Sequence, residues 1–446
     1  MAETYDLIFK GGTVVNQDGT GLRDVGVTDG RIAAIGALDA AAAGEVVDCT
    51  GLHVLPGVID SHVHMREPGA EDREDLGSGT RAAVLGGVTA VFEMPNTRPS
   101  TTSEDALADK VRRGRDKAFC DFAFYVGATR ENTNALGELE MLPGCAGVKV
   151  FMGASTGDLL VEDDEGVRRI LSVIRRRAAF HAEDEYRLQA RAGHVREGDP
   201  SSHYVWRDAE AARLGTERLC ALARETGRRV HVLHVTTQQE IPVLAAHKDV
   251  VTAEVTPQQL TLFGPEDYER LGTRAQMNPP IRERAHQDAL WRALANGLFD
   301  TIGSDHAPHL LSDKGKAYPS SPSGMPGVQT LLPVMLDHVN AGRLSLERLV
   351  DLVCHGPQRV YQIAGKGRLA MGYDADITVV DLKRRREITD DWIASKCGWT
   401  PFAGRTVTGW PAGTFVRGRR VMWEDEIVDR PEAAPVRFME ALAGPA

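Results

Sequence analysis

Several things are scarce in this sequence. Aromatic residues make up 6% of its 446 positions, and its six cysteines (Cys49, Cys120, Cys145, Cys220, Cys354 and Cys397) are scattered, with no C-x-x-C pair. That spacing excludes a disulfide framework and a cysteine-built zinc site, and it fits a reducing compartment. Positive charge is not in excess either: 52 Lys+Arg face 63 Asp+Glu, for a formal charge of −11. General nucleic-acid binding, which needs clustered cations to neutralise phosphates, is excluded on that balance. The short basic runs at 175–177 and 383–386 read as solvated faces. No uninterrupted apolar run approaches the length of a membrane span, and residues 1–6 lack the basic-then-apolar order of a signal peptide. The expectation is a soluble cytoplasmic protein that meets a small-molecule substrate, with no nucleic acid and no membrane.

What is present is a regular alternation. Strand-like runs at 58–64, 89–94, 122–126, 147–151, 179–181, 229–234, 250–255 and 300–305 are separated by helix-like stretches such as 105–117, 209–226 and 286–296. Eight such units predict an α/β fold closed as a (β/α)8 TIM-like barrel, with its site at the C-terminal ends of the strands. Short β-rich runs at 6–10, 12–15, 24–28 and 31–35 return in kind at 376–381 and 413–422, so both chain ends are expected to form a small β-sandwich. The expected division is 1–54 for the first part of the sandwich, 55–365 for the barrel, and 366–446 for the second part and a tail.

Ionisable residues gather at the ends of those runs. His62 and His64 are two apart, so they leave one face of a strand and can share a metal; alone, such a pair also suits two polar residues at a strand end. Lys149 lies in the apolar run Val148-Lys-Val-Phe151, where a bare ammonium is costly. It needs either a nearby carboxylate or a depressed pKa, which would let it add carbon dioxide and become a metal-bridging carbamate. His181 and His234 end the fifth and sixth runs and are candidates for a second metal. His231, three residues before His234, is expected on the opposite face, packed against a helix. Asp305, at the end of the eighth run, is the candidate general acid/base, although an Asp there also suits a turn. His194, His203, His247, His286, His338 and His355 show no ligand pattern. Residues 310–323 suit either a mobile lid or a disordered connector.

Together with the stretches Leu55-Pro-Gly-Val-Ile-Asp-Ser-His-Val-His-Met-Arg-Glu-Pro-Gly69, Pro95-Asn-Thr-Arg-Pro99, Lys149-Val-Phe-Met-Gly153, Met277-Asn-Pro-Pro-Ile-Arg282, Gly303-Ser-Asp-His-Ala-Pro-His309 and Pro322-Ser-Gly-Met-Pro-Gly327, the sequence resembles the amidohydrolase superfamily and, within it, the dihydroorotases. The resemblance implies hydrolysis of a cyclic amide at two zinc ions bridged by carboxylated Lys149 and a hydroxide. His62, His64 and Asp305 would hold the first ion, and His181 and His234 the second. It also implies that Arg66 and Asn96 take the substrate carboxylate, that His309 serves the same end of the ring, and that Asn278 contacts substrate. Related cyclic amidases, allantoinase or dihydropyrimidinase, would keep the metals and change the substrate end, and a non-catalytic partner protein would lose ligands. Gln259 departs from the pattern, since a His is expected near it in many relatives. Dimers are common in the family, so a homodimer fits the resemblance.

Overall fold

The computed structural model describes residues 4–155 and 159–442. Of the six opening residues read for a leader, the first three lie outside the described residues. Eight parallel strands stand side by side in chain order. They are Val58–Val63, Val88–Glu93, Asp121–Gly127, Cys145–Phe151, Ala178–His181, Val230–Val232, Val251–Val255 and Thr301–Ile302. Each falls on one of the eight runs read from the sequence. The last is only two residues long, and the ring closes just beyond it: His306 bridges Val63 in parallel, and the His64 amide donates to the His306 carbonyl at 2.7 Å. The fold is a (β/α)8 barrel.

Alternation along each strand decides what faces where. Val91, Phe122, Phe124, Val148, Val150, Val230, Val232 and Val255 point outward into one core shared with the surrounding helices. Residues of the other parity fill the bore, and the register shift between Cys145 and Gly147 turns Ala146 inward as well. Ala90, Ala123, Ala146 and Ala179 are small, and Phe92, Tyr125, Tyr361 and Phe438 pack beside them. Phe92 meets Tyr361 and Phe438 edge-on at 5.5 and 5.6 Å between centroids. Phe438 arrives from late in the chain, which runs along the start of the third strand: the Phe122 amide donates to Ala434 and the Val436 amide to Phe122. Hydrocarbon thus packs much of the bore beneath the strands' C-terminal ends.

The helix Ala209–Thr226 shows how sequence fixes a helix against this barrel. Asp208 caps its start by accepting from the Ala211 amide at 3.0 Å, and Gly227, at φ +65°, ends it in the left-handed conformation. At Gly215 a Cβ would lie 2.4 Å from the Ala182 carbonyl, so only glycine lets the helix approach the turn that follows His181.

Two further sheets form the sandwich. One, in order Arg31–Gly36, Asp24–Thr28, Tyr5–Lys10, Ala43–Asp48, is built wholly from the start of the chain. The seven-stranded sheet mixes both ends, with Ile377–Glu387 pairing antiparallel to His53–Pro56. Leu7, Phe9, Val25, Val54, Ile377 and Phe415 share the core of the sandwich.

Three expectations are corrected. Residues 413–422 are not one strand but span the turn between Thr406–Val416 and Arg419–Trp423. The run at 175–177 is not a solvated face: Arg176 is buried and donates to the carbonyls of Cys145 and Ala146, with its guanidinium 4.4 Å from the Phe438 ring centroid. Residues 310–323 are not a disordered connector. Lys314 and Tyr318 are buried within this segment, and Lys314 Nζ donates to the carbonyls of Gln276 and Pro322 at 3.1 and 2.8 Å. Among the described residues no helix is long and apolar enough to cross a membrane.

Sandwich and barrel meet at a buried ion cluster. Lys366 Nζ lies 2.6, 2.6 and 3.1 Å from Asp121, Asp376 and Asp374, and Arg417 also pairs with Asp121. The three aspartates have the spacing of a metal site, but the lysine ammonium occupies their centre. Removing it leaves buried carboxylates uncompensated, so Lys366→Met is expected to lower stability by about 3 kcal/mol, measured by thermal or urea unfolding.

Candidate metal centre

The histidines, the lysine and the aspartate singled out in the sequence converge on one pocket at the barrel mouth. It is lined by His62, His64, Arg66, Asn96, Lys149, Phe151, His181, His234, Asn278 and Asp305, among others. His62 Nε2 and His64 Nε2 each lie 3.2 Å from Asp305 Oδ1, and the three residues have metal-binding spacing. Across the pocket, His181 Nδ1 and His234 Nε2 are 3.1 Å apart. The two groups adjoin, with the His62 and His234 rings 5.2 Å apart.

Local backbone geometry brings them there. Arg66, His234 and Asp305 have φ of +62°, +38° and +45°, a left-handed conformation costly for residues with a side chain. The bend at His234 also corrects the reading of His231. Strand parity is lost at the turn, so His231 is not on the outer face of its strand, and the helix it meets, Gly356–Tyr361, reaches it from the bore side. It lies in the bore, where it bonds Thr252 at 2.8 Å and Thr301 at 3.3 Å and packs edge-on against Tyr361.

Three of the four rings have their second nitrogen engaged, whereas Nδ1 of His234 has no hydrogen-bond partner among the described residues. His62 Nδ1 meets Glu254 Oε1 at 2.7 Å, His64 Nδ1 meets Asn96 Oδ1 at 2.8 Å, and His181 Nε2 meets Glu183 Oε2 at 2.9 Å. With the N–H donated to these oxygens, the opposite nitrogens keep lone pairs directed into the pocket. Burial opposes ionisation of Glu183, but Arg207 and His181 outweigh it and hold the carboxyl well below its usual range. Burial likewise opposes protonation of His62, yet Asp305 and Glu254 raise it to about 9; His64, with less help, is lowered by burial to about 4. Without a cation in the pocket, Asp305 and Glu254 thus draw a proton onto His62, and a bound metal ion would take that proton's place and leave the ring neutral with its lone pair free.

Lys149 is the stronger sign. It sits between outward-facing Val148 and Val150, is fully buried, and its Nζ has no hydrogen-bond partner among the described residues. Burial lowers it to about 7, so an appreciable fraction is the free amine at neutral pH. An orphaned amine beside four imidazoles and a carboxylate fits a metal pair better than it fits an ordinary core.

Glu254, Glu183 and Asp60 escaped the sequence reading. Asp60 Oδ1 accepts from the amides of Ser304 and His62 at 3.0 and 3.2 Å. Glu254 carried a usable signal, a lone charge in the apolar run 250–255. The remaining expectations fall in two places. Asn278 lines the pocket, whereas His309 stands behind Arg66, with its Nε2 3.2 Å from the guanidinium and 3.0 Å from the Ser323 carbonyl. Gln259 points away, toward the carbonyls of Pro279 and Pro280.

A barrel with these donors at its mouth defines a class, and the sequence agrees: the chain belongs to the amidohydrolase family, which matches residues 53–421. It is 37% identical to a dihydroorotase of Halobacterium salinarum, over 93% of this chain and 97% of that protein. It is also 35% identical to an allantoinase of Rubrobacter xylanophilus, over 97% and 98%. Among solved structures it resembles the L-hydantoinase (dihydropyrimidinase) of Arthrobacter aurescens, with a TM-score of 0.92, 32% identity, and coverage of 96% of this chain and 98% of that one.

Glu254 holds the ring of His62, so Glu254→Ala is expected to weaken the binding of a divalent metal ion roughly 10- to 100-fold, read by competition titration against a chromogenic chelator.

Proposed function

We propose that the protein is a zinc-dependent cyclic amide hydrolase acting as a dihydroorotase, reversibly opening (S)-dihydroorotate to N-carbamoyl-L-aspartate in de novo pyrimidine biosynthesis. The observation that carries the substrate is Arg66. Its guanidinium is 5% exposed and lines the pocket, and it has no carboxylate partner among the described residues; Nε donates to the Pro308 carbonyl at 3.2 Å. A buried cation without an anion calls for an anionic ligand, and the carboxylate of dihydroorotate supplies one where dihydrouracil, hydantoin and allantoin do not. The dihydroorotase relatives support the same reading. The likeness to L-hydantoinase and to allantoinase supports a second reading, a neutral cyclic amide, which the assay below separates.

In this reading His62, His64 and Asp305 would hold one zinc and His181 and His234 the other, with Lys149, once carboxylated by carbon dioxide, serving as a further ligand. When bound, the pair would lower the pKa of a shared water toward neutrality and polarise the ring carbonyl. The chain's residues do the rest. Arg66 grips the substrate carboxylate through two parallel N–H bonds, with Asn96 beside it, and so sets the ring's orientation. Asp305 takes the proton of the attacking water. As the ring C–N bond breaks, Asp305 returns that proton to the departing nitrogen, which leaves as the NH2 of the ureido group. Glu254, Asn96 and Glu183 hold the imidazoles in the required tautomers. The six free, buried cysteines support a reducing, cytoplasmic setting, and a homodimer is proposed by family analogy.

Offered L-dihydroorotate, allantoin, hydantoin and dihydrouracil in parallel, the zinc-loaded protein is expected to open dihydroorotate preferentially and to lose activity on chelation. Preference for a neutral ring would move the assignment to the second reading. Arg66→Lys, which replaces a planar fork by a point charge, is expected to raise KM for dihydroorotate; unchanged saturation would count against the carboxylate site. Asp305→Asn is expected to lower kcat by at least about 10²-fold with the fold retained, and a near-normal rate would remove it from the proton transfer.

A further inference from the structure

One buried histidine lies outside the metal groups yet touches the pocket wall. His203, in the short helix Ser202–Trp206, is 1% exposed. Its Nε2 lies 3.1 Å from the Met277 carbonyl and 2.9 Å from Asn278 Oδ1, and its Nδ1 lies 3.3 Å from the Tyr318 hydroxyl. The ring is clasped edge-on by Tyr318 and Trp206, at 5.6 and 5.8 Å between centroids.

This arrangement has one consistent proton assignment. A backbone carbonyl can only accept, so the nitrogen facing Met277 must carry hydrogen. Burial and the neighbouring Arg207 push the ring to about 3, so it is neutral and has a single N–H. Nδ1 is then a lone pair, which accepts from Tyr318, and the Asn278 atom facing Nε2–H must be its oxygen. Side-chain amide orientation is often ambiguous because oxygen and nitrogen look alike, but here the Met277 carbonyl decides it. The NH2 of Asn278 is left at the other end of a planar group that lines the pocket, with no protein partner among the described residues.

We propose that His203 is a positioning residue that locks the Asn278 amide with its NH2 turned into the pocket, where it donates to an acceptor oxygen of the substrate. Tyr318 completes the device. It belongs to the segment at 310–323 and is tied to the loop before His203 through its own carbonyl, which accepts from the Gly198 amide at 2.8 Å. The segment after the eighth strand therefore helps to hold the ring whose polarity the Met277 carbonyl fixes. The inference rests on the proposed reading that a small cyclic amide binds beside Arg66, and it adds which edge of Asn278 that ring meets.

The test compares His203→Leu, His203→Gln, Tyr318→Phe and Asn278→Asp in the full-length, zinc-loaded protein, reading KM, kcat, zinc content and Tm. His203→Leu frees the amide to flip and is expected to raise KM about tenfold, the worth of one hydrogen bond, with kcat and zinc content little changed. His203→Gln, whose NH2 can still donate to Asn278 Oδ1, is expected to recover most of that loss, and Tyr318→Phe to raise KM a few-fold. Asn278→Asp presents oxygen to oxygen and is expected to raise KM by more than His203→Leu does. Wild-type KM in His203→Leu, or Gln no better than Leu, overturns the proposal. So does a kcat that falls in step with lost zinc or lowered Tm. Should His203→Leu fail to fold, His203→Gln, Tyr318→Phe and Asn278→Asp decide: wild-type KM in Tyr318→Phe and Asn278→Asp overturns it. If the wild-type protein opens a neutral ring instead of dihydroorotate, the substrate reading falls, and the same KM comparison on that ring decides His203 separately.

Discussion

Everything at the barrel mouth depends on how the bore is filled. Alanines on four strands admit the rings of Phe92, Tyr125, Tyr361 and Phe438, and this hydrocarbon floor excludes water from below. Within the bore His231 is answered by Thr252 and Thr301, and the polar side chains of the site stand in a layer above the floor and face one another across a narrow space. In that layer a lone charge cannot be solvated, so each group must be answered by another: His62 by Glu254, His64 by Asn96, His181 by Glu183. Among the described residues, Lys149 has no hydrogen-bond partner and Arg66 no carboxylate beside it. One looks toward the metal groups and the other toward the substrate end.

That pattern separates two kinds of preorganisation. The imidazoles are fixed by carboxylates and an amide that lie outside the metal groups, so the ligand geometry does not depend on the ions alone. The substrate end is fixed by backbone and loop contacts: Arg66 rests on the Pro308 carbonyl, and His309 is spent on Ser323 and the guanidinium. A cationic end with few protein anions is a poor environment for a neutral ring and a good one for a carboxylate.

Much of the architecture was legible because a barrel strand, covered on both faces, is a short apolar run bounded by helix signals. Charged residues inside such runs were legible for the same reason, which is how Lys149 stood out; Glu254 obeyed the same rule and was passed over. The failures share a cause, too. His231 was placed by strand parity, which the bend at His234 cancels. Arg176 was read as a surface charge although three backbone carbonyls and the Phe438 ring enclose it. The segment at 310–323 has the composition of a linker, but buried Lys314 and Tyr318 anchor it. In each case the decisive partner is distant in sequence, and no local pattern reports it.

The floor of the barrel also orders events in the life of the chain. Val436 and Phe438 complete the hydrophobic plug, and they emerge from the ribosome long after the eighth strand. A polypeptide that has made every barrel strand but not yet this segment lacks the wedge that packs beneath them, and a product cut short between the eighth strand and Phe438 would leave that apolar surface uncovered.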